Sequence, residues 1–279
     1  MNKKLSTTAG PIGIFDSGYG GLTILEEIRR IMPEYDYIYL GDNARTPYGT
    51  RSFDVVYQYT LECVTQLFEM GCQLVILACN TASAKALRSI QQNDLPLLDP
   101  DRRVLGVIRP TVEVLSDMTH TGHLGVLATP GTVLSNSYPL EIHKLYPDFV
   151  INSVACPMWV PLIENKEHLS RGADYFVELY INELMTKDDM IDAVILGCTH
   201  YPLLIPKIKQ YLSANITIIS QGEIVARSLK DYMLRHPGID SKCSKGGDTV
   251  YYSTESVARF EESARLFLNE EIKAIHIKI

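Results

Sequence analysis

A chain of 279 residues, 46% apolar and 21% charged, has the length for about two domains and enough apolar material for packed cores. Its net charge of −7, with Lys and Arg scattered rather than massed, argues against a surface that grips phosphate backbones, so no nucleic-acid partner is expected. Apolar runs of about six residues fall far short of the ~20 that cross a bilayer. Lys3 and Lys4 lead into no apolar segment, so neither a membrane partner nor a secretory signal is expected and the location is read as cytoplasmic.

Strand-like and helix-like segments alternate along the chain. Residues 11–16 read as a strand, and Gly20-Gly21 then opens a helix with apolar positions at 22, 25, 28 and 31–32, stopped by Pro33. A strand at 37–40, a helix over 51–70, a strand at 73–78 and a helix over 80–92 follow. Residues 93–103 are proline-rich and linker-like, and the same grammar restarts near Val104. It gives strands at 104–108, 124–128, 149–154 and 192–197, with helices near 110–118, 132–145, 167–186 and 201–211. The closing stretch reads strand 216–219, helix 222–234, strand 249–252, helix 255–268 and a short terminal strand. Solidly apolar strands separated by helices predict an α/β fold with parallel sheets covered on both faces. Ligands of such sheets sit where strands end and helices begin.

Two stretches read as versions of each other. Val75-Ile76-Leu77-Ala78-Cys79-Asn80-Thr81 matches Val194-Ile195-Leu196-Gly197-Cys198-Thr199-His200, and Ile12-Gly13-Ile14-Phe15-Asp16-Ser17 resembles Leu124-Gly125-Val126-Leu127-Ala128-Thr129. The offsets are 119 and 112 residues, so the order of motifs is kept. Each half therefore offers one thiol at a strand end, beside a helix N-terminus whose partial positive charge would lower its pKa from about 8.5. Two such half-sites suit a reaction approached from opposite faces. The six cysteines are not spaced as a disulfide framework.

Asp16 stands beside the first thiol and His200 beside the second. Asp16 would also suit an N-cap or turn, and His200 could simply open the next helix. Glu164 is equally compatible with a surface position, and Trp159 reads as packing. Ser17, Asn80, Thr81, Thr129, Thr132 and Thr199, with the loop Pro47-Tyr48-Gly49, form a set of hydroxyls, an amide and backbone N–H groups able to hold an amino-acid carboxylate without arginine. Gly18-Tyr19-Gly20-Gly21 has neither dinucleotide nor P-loop spacing, the seven histidines show no zinc spacing, and no lysine in the paired motifs suggests a pyridoxal Schiff base. No metal and no cofactor is expected.

With Gly41-Asp42-Asn43-Ala44-Arg45-Thr46-Pro47-Tyr48-Gly49, Leu127-Ala128-Thr129-Pro130-Gly131-Thr132 and Cys156-Pro157 through Glu164 added to the paired motifs, the chain from about residue 11 to 235 resembles the glutamate racemase family, within the cofactor-independent aspartate/glutamate racemase superfamily. The resemblance implies two parallel-sheet α/β domains related by a pseudo-twofold, with the active site in the cleft between them. It assigns residues 1–100 and 212–279 to a discontinuous N-terminal domain and 101–211 to a second one. It implies Cys79 and Cys198 as the acid/base pair, assisted by Asp16 and His200, with Glu164 a further acidic residue. Asp16, Ser17, Pro47, Tyr48, Gly49, Asn80, Thr81, Thr129, Thr132, Thr199 and His200 would surround glutamate. A homodimer, and D-glutamate supplied to peptidoglycan synthesis, are also implied. The chain departs from the family pattern at Ser220-Gln221-Gly222, where relatives carry Asp-Ser-Gly, and at Arg109, where many carry Glu. The rival readings are an aspartate or hydantoin racemase, a one-cysteine decarboxylase, which two intact cysteine motifs disfavour, and a two-lobed amino-acid-binding protein; by family pattern His200 favours glutamate over aspartate.

Overall fold

The computed structural model describes residues 9–279, so Lys3 and Lys4 lie outside the described residues. Strand β1 (Ile12–Asp16) is buried at all five positions, as expected where helices cover both faces of a sheet. Helix α1 (Leu22–Ile31) turns Leu22, Leu25 and Ile28 inward, each burial worth about 1.5–3 kcal/mol, and ends before Pro33. After β2 (Tyr37–Gly41) comes α2 (Phe53–Glu69), whose first turn is capped by the Ser52 side chain accepting from the Val55 N–H. Strand β3 (Leu74–Leu77) leads into α3 (Asn80–Lys85).

The helix expected over 80–92 is broken at Ala86. It continues as α4 (Leu87–Ser89), a π-helical turn over Ile90–Asp94 and α5 (Leu95–Leu98). The proline-rich stretch is thus helical to Leu98 rather than linker, because Pro96 falls in the first turn of α5, where a missing N–H costs nothing. Next come β4 (Arg103–Gly106), α6 (Ile108–Glu113) and β5 (His123–Ala128). The helix expected over 132–145 is two, α7 (Pro130–Leu134) and α8 (Ser137–Leu145), split at Asn136 with φ of 55°. Beyond β6 (Val150–Ala155) lies an unanticipated helix, α9 (Trp159–Glu164), before α10 (Arg171–Lys187). Trp159 is fully buried, edge-on to Tyr201, which is the packing role its sequence suggests. The rest is β7 (Ala193–Gly197), α11 (Ile205–Tyr211), β8 (Thr217–Ile219), α12 (Gln221–Arg235), α13 (Pro237–Asp240), β9 (Thr249–Ser253), α14 (Val257–Leu268) and β10 (Ala274–His276).

Among the described residues the strands form two sheets, ordered β10-β9-β2-β1-β3-β4 and β6-β5-β7-β8, and every pairing is parallel. The repeated motifs occupy equivalent places: β1 pairs with β3 as β5 pairs with β7. Two strands lie in the sheet that chain order did not suggest. The strand near Val104, read as restarting the pattern, pairs with β3 in the first sheet, and the strand near 216–219 pairs with β7 in the second. The chain then crosses back, placing β9 against β2. Among the described residues no helix is long and apolar enough to cross a membrane.

Candidate active site

Cys79 follows β3 directly and is the N-cap of α3, its sulfur accepting from the Ala82 N–H at 3.5 Å and donating to Ser17 Oγ at 3.5 Å. Asp16, at the end of neighbouring β1, is 1% exposed. Its Oδ2 accepts from the Gly18 N–H at 2.8 Å, while buried Oδ1 makes no hydrogen bond. Burial pushes the Asp16 carboxyl up, against the charge of His200 and the Gly18 and Gly21 N–H groups. Burial, and then the charge of Asp16, push the Cys79 thiol up to about 12 despite the Ser17 and Ala82 contacts. The lowering expected from the helix N-terminus is therefore outweighed here, and Cys79 holds its proton at neutral pH.

Cys198 follows β7 and is 7% exposed. Its sulfur lies 3.9 Å from His200 Nδ1, and His200 Nε2 lies 3.1 Å from Glu164 Oε1 at the end of α9. Burial opposes the charged imidazolium, but the hydrogen bonds and charges of Cys198 and Glu164 prevail and raise His200 to about 10. Both ring nitrogens then carry protons, one directed at sulfur and one at the carboxylate. His200 does open a 3₁₀ turn, Tyr201–Leu204, yet its side chain caps nothing there. The room for this ring is made by Gly20, where an added Cβ would stand 2.4 Å from His200 Nδ1.

The wall between the thiols comes from both sheets. Thr81 Oγ1 lies 3.0 Å from Thr129 Oγ1 and 3.3 Å from Thr132 Oγ1, joining α3 to the N-terminus of α7, which Thr129 caps. The loop bearing Pro47, after a cis Thr46–Pro47 bond, presses on the same wall, and a Cβ on Gly49 would meet the Thr129 side chain at 2.9 Å. Buried Tyr48 donates its hydroxyl to Asp42, which also accepts from Arg45 Nε at 2.6 Å, so its polar end anchors the loop.

These groups surround a cavity of about 260 Å³. Ser17, Pro47, Tyr48, Gly49, Cys79, Asn80, Thr81, Thr129, Glu164, Cys198, Thr199 and His200 line it; Asp16 and Thr132 stand behind the lining. Sequence reasoning did not single out Thr46, Thr50, Pro130, Cys156, Pro157, Val160, Pro161 or Asn165 as site residues; all eight also line it, and most lie inside the quoted motifs. No Lys or Arg is among the lining residues. Arg109 sits away from the cavity, half exposed, with Glu113 at 2.9 Å and Glu141 at 3.5 Å. All six cysteines are free and buried, and among the described residues no group of His, Cys, Asp and Glu is arranged to hold a metal.

Parallel α/β sheets, at strand ends and adjoining helices, bring three thiols, a histidine and a carboxyl group to one small cavity, with the Asp16 carboxyl behind it, a set of groups able to take and give protons. The sequence profile of the Asp/Glu/Hydantoin racemase family matches residues 22–229. The glutamate racemase of Roseobacter denitrificans is 38% identical over 272 residues, covering 94% of this chain and 98% of the relative. That of Streptococcus agalactiae is 36% identical over 269 residues, covering 96% and 98%. The crystal structure of a Bacillus anthracis glutamate racemase isoform superposes with a TM-score of 0.88 at 34% identity, covering 97% of this chain and 98% of that one. The chain belongs to the Asp/Glu/Hydantoin racemase family, and is accordingly an isomerase of the amino-acid racemase class.

Proposed function

We propose that this protein interconverts L- and D-glutamate by two-base proton transfer at Cα, with Cys79 and Cys198 acting from opposite sides of a cleft between two pseudo-twofold-related domains. The observation that carries this reading is that both sulfurs line one cavity, each with its own polar partners. Inverting a carbon requires taking a proton from one face and delivering one to the other, and two fixed groups do this without moving a base or turning the substrate. With its thiol pushed up to about 12, Cys79 holds its proton and serves as the acid in one direction. Imidazolium His200 faces Cys198, which serves as the base in that direction. The reverse reaction exchanges the roles.

The α-proton is very weakly acidic, so preorganised donors around the carboxylates and exclusion of water supply much of the stabilisation. Ser17, Asn80, Thr81, Thr129 and Thr199 are the donors placed for this, and Asp16 and Glu164 tune the thiol and the imidazole beside them. No cofactor takes part in this route. The product would supply D-glutamate for peptidoglycan precursors.

The test is incubation of the purified protein with L-glutamate, without added cofactor, followed by polarimetry. Optical rotation should decay to zero, and Cys79→Ala and Cys198→Ala should each abolish the decay in both directions. Near-normal turnover in either variant overturns the two-base reading. In heavy water at early times deuterium should enter product but hardly recovered substrate, whereas equal labelling would indicate one shared base. Aspartate, one methylene shorter, should react about 10- to 200-fold more slowly.

A further inference from the structure

We infer that Gln221 is a positioning residue for this reaction, closing with Tyr138 and Asn80 a ring of hydrogen bonds that ties the two cysteine motifs together. The inference rests on the proposed racemisation. Gln221 is the first residue of α12. All three side chains are buried, at 3%, 1% and 2% exposure for Gln221, Tyr138 and Asn80.

The ring runs in one sense. The Tyr138 hydroxyl donates to Asn80 Oδ1 at 2.7 Å, Asn80 Nδ2 donates to Gln221 Oε1 at 2.6 Å, and Gln221 Nε2 donates back to the Tyr138 oxygen at 2.8 Å. Reversing it would turn the Gln221 oxygen toward the Val107 carbonyl, which only accepts and now lies 3.3 Å from Gln221 Nε2. Thr111 Oγ1, at 2.9 Å, takes a further bond from the same nitrogen. The sense of the ring, and with it the orientation of the Asn80 amide, is thereby fixed.

The ring joins elements of both sheets. Asn80 immediately follows Cys79 after β3 and so belongs with the first sheet, whereas α6, which carries Thr111, packs Ile108 and Val112 into the core beneath the second. Gln221 follows β8 of the second. Tyr138 touches both motifs, since its hydroxyl holds Asn80 while its ring lies 3.2 Å from where a Cβ on Gly197, the residue before Cys198, would be. Gln221 thus orients a side chain that contacts the neighbour of each thiol, and Gly222 lets α12 approach α1 closely enough to put it there, since a Cβ would meet the Glu27 side chain at 2.9 Å.

The test compares Gln221→Leu, Tyr138→Phe and the double variant with wild type, measuring kcat and KM for both enantiomers per active site. Tyr138→Phe keeps the packing on Gly197 and removes only the hydroxyl, so it decides the matter should Gln221→Leu fail to fold. Each single change should lower kcat about 10- to 100-fold with KM within about threefold, as misplaced reacting groups do. The double variant should be no slower than the slower single, because both break one unit. A merely structural role would reduce thermal stability and the yield of active protein while leaving kcat per active site intact. A kcat within twofold of wild type in either folded single variant, or losses that multiply in the double, overturns the inference alone. A wild-type chain without racemase activity removes the reading beneath it as well.

Discussion

Held between the Cys198 sulfur at 3.9 Å and a Glu164 oxygen at 3.1 Å, His200 keeps its proton up to about pH 10. A folded-state pKa raised above the ordinary 6.5 contributes stability that is fully present below pH 6.5 and lost as pH rises through about 10. The same loss removes the imidazolium from Cys198. The kcat/KM profile, which reports the free enzyme, should therefore fall on its alkaline side near pH 10, and His200→Asn should abolish that limb and lower activity at pH 8 by about tenfold or more. An unchanged limb in the variant would show that another group sets it. The thiols and their nearest helpers were legible in the sequence because a repeated strand end marks them twice. Tyr138 and Gln221 were not, since their bonds to Asn80 span 58 and 141 residues and no local pattern announces them. The direction of the Cys79 shift was also beyond the sequence, because the burial that raises it is a tertiary property that outweighs a local helix end.

The turn between β1 and α1 shows how closely elements approach around the site. A Cβ on Gly20 would stand 2.3 Å from Thr199 Oγ1 and 2.4 Å from His200 Nδ1, so either the turn or the histidine must shift. Gly20→Ala should leave a folded protein by circular dichroism but cost about tenfold or more in kcat/KM. Full activity in that variant would mean the ring can move without consequence. Strands and long helices were readable because continuous apolar runs and 3.6-residue periodicity survive any packing. The short helices were hidden by their prolines. Pro96 in α5, within the stretch read as a linker, and Pro161 in α9 each occupy a first turn, where the backbone N–H has no helical partner to lose.

Across the whole molecule, four strands of each sheet follow the same order, β2-β1-β3-β4 and β6-β5-β7-β8, which is the structural form of the repeat seen in the sequence. Which edge strands belong to which sheet was not legible, because β4 and β8 are both short strands flanked by helices and only pairing settles their sheet. A ligand held by residues from both sheets should stabilise the fold, by about 2.7 kcal/mol at one hundred times its Kd. Calorimetry should accordingly show L-glutamate raising Tm by several degrees, with matched sodium chloride giving no such rise; no shift would mean that glutamate does not bind the folded chain. The two half-sites nevertheless differ in chemistry: a hydroxyl and a buried carboxyl accompany one sulfur, an imidazolium–carboxylate pair the other. Mirror-image substrates have the same free energy in water, so thermodynamics compels equal specificity constants in the two directions. It places no such demand on saturation, and an unsymmetrical pocket leaves each antipode its own turnover ceiling and its own half-saturating concentration.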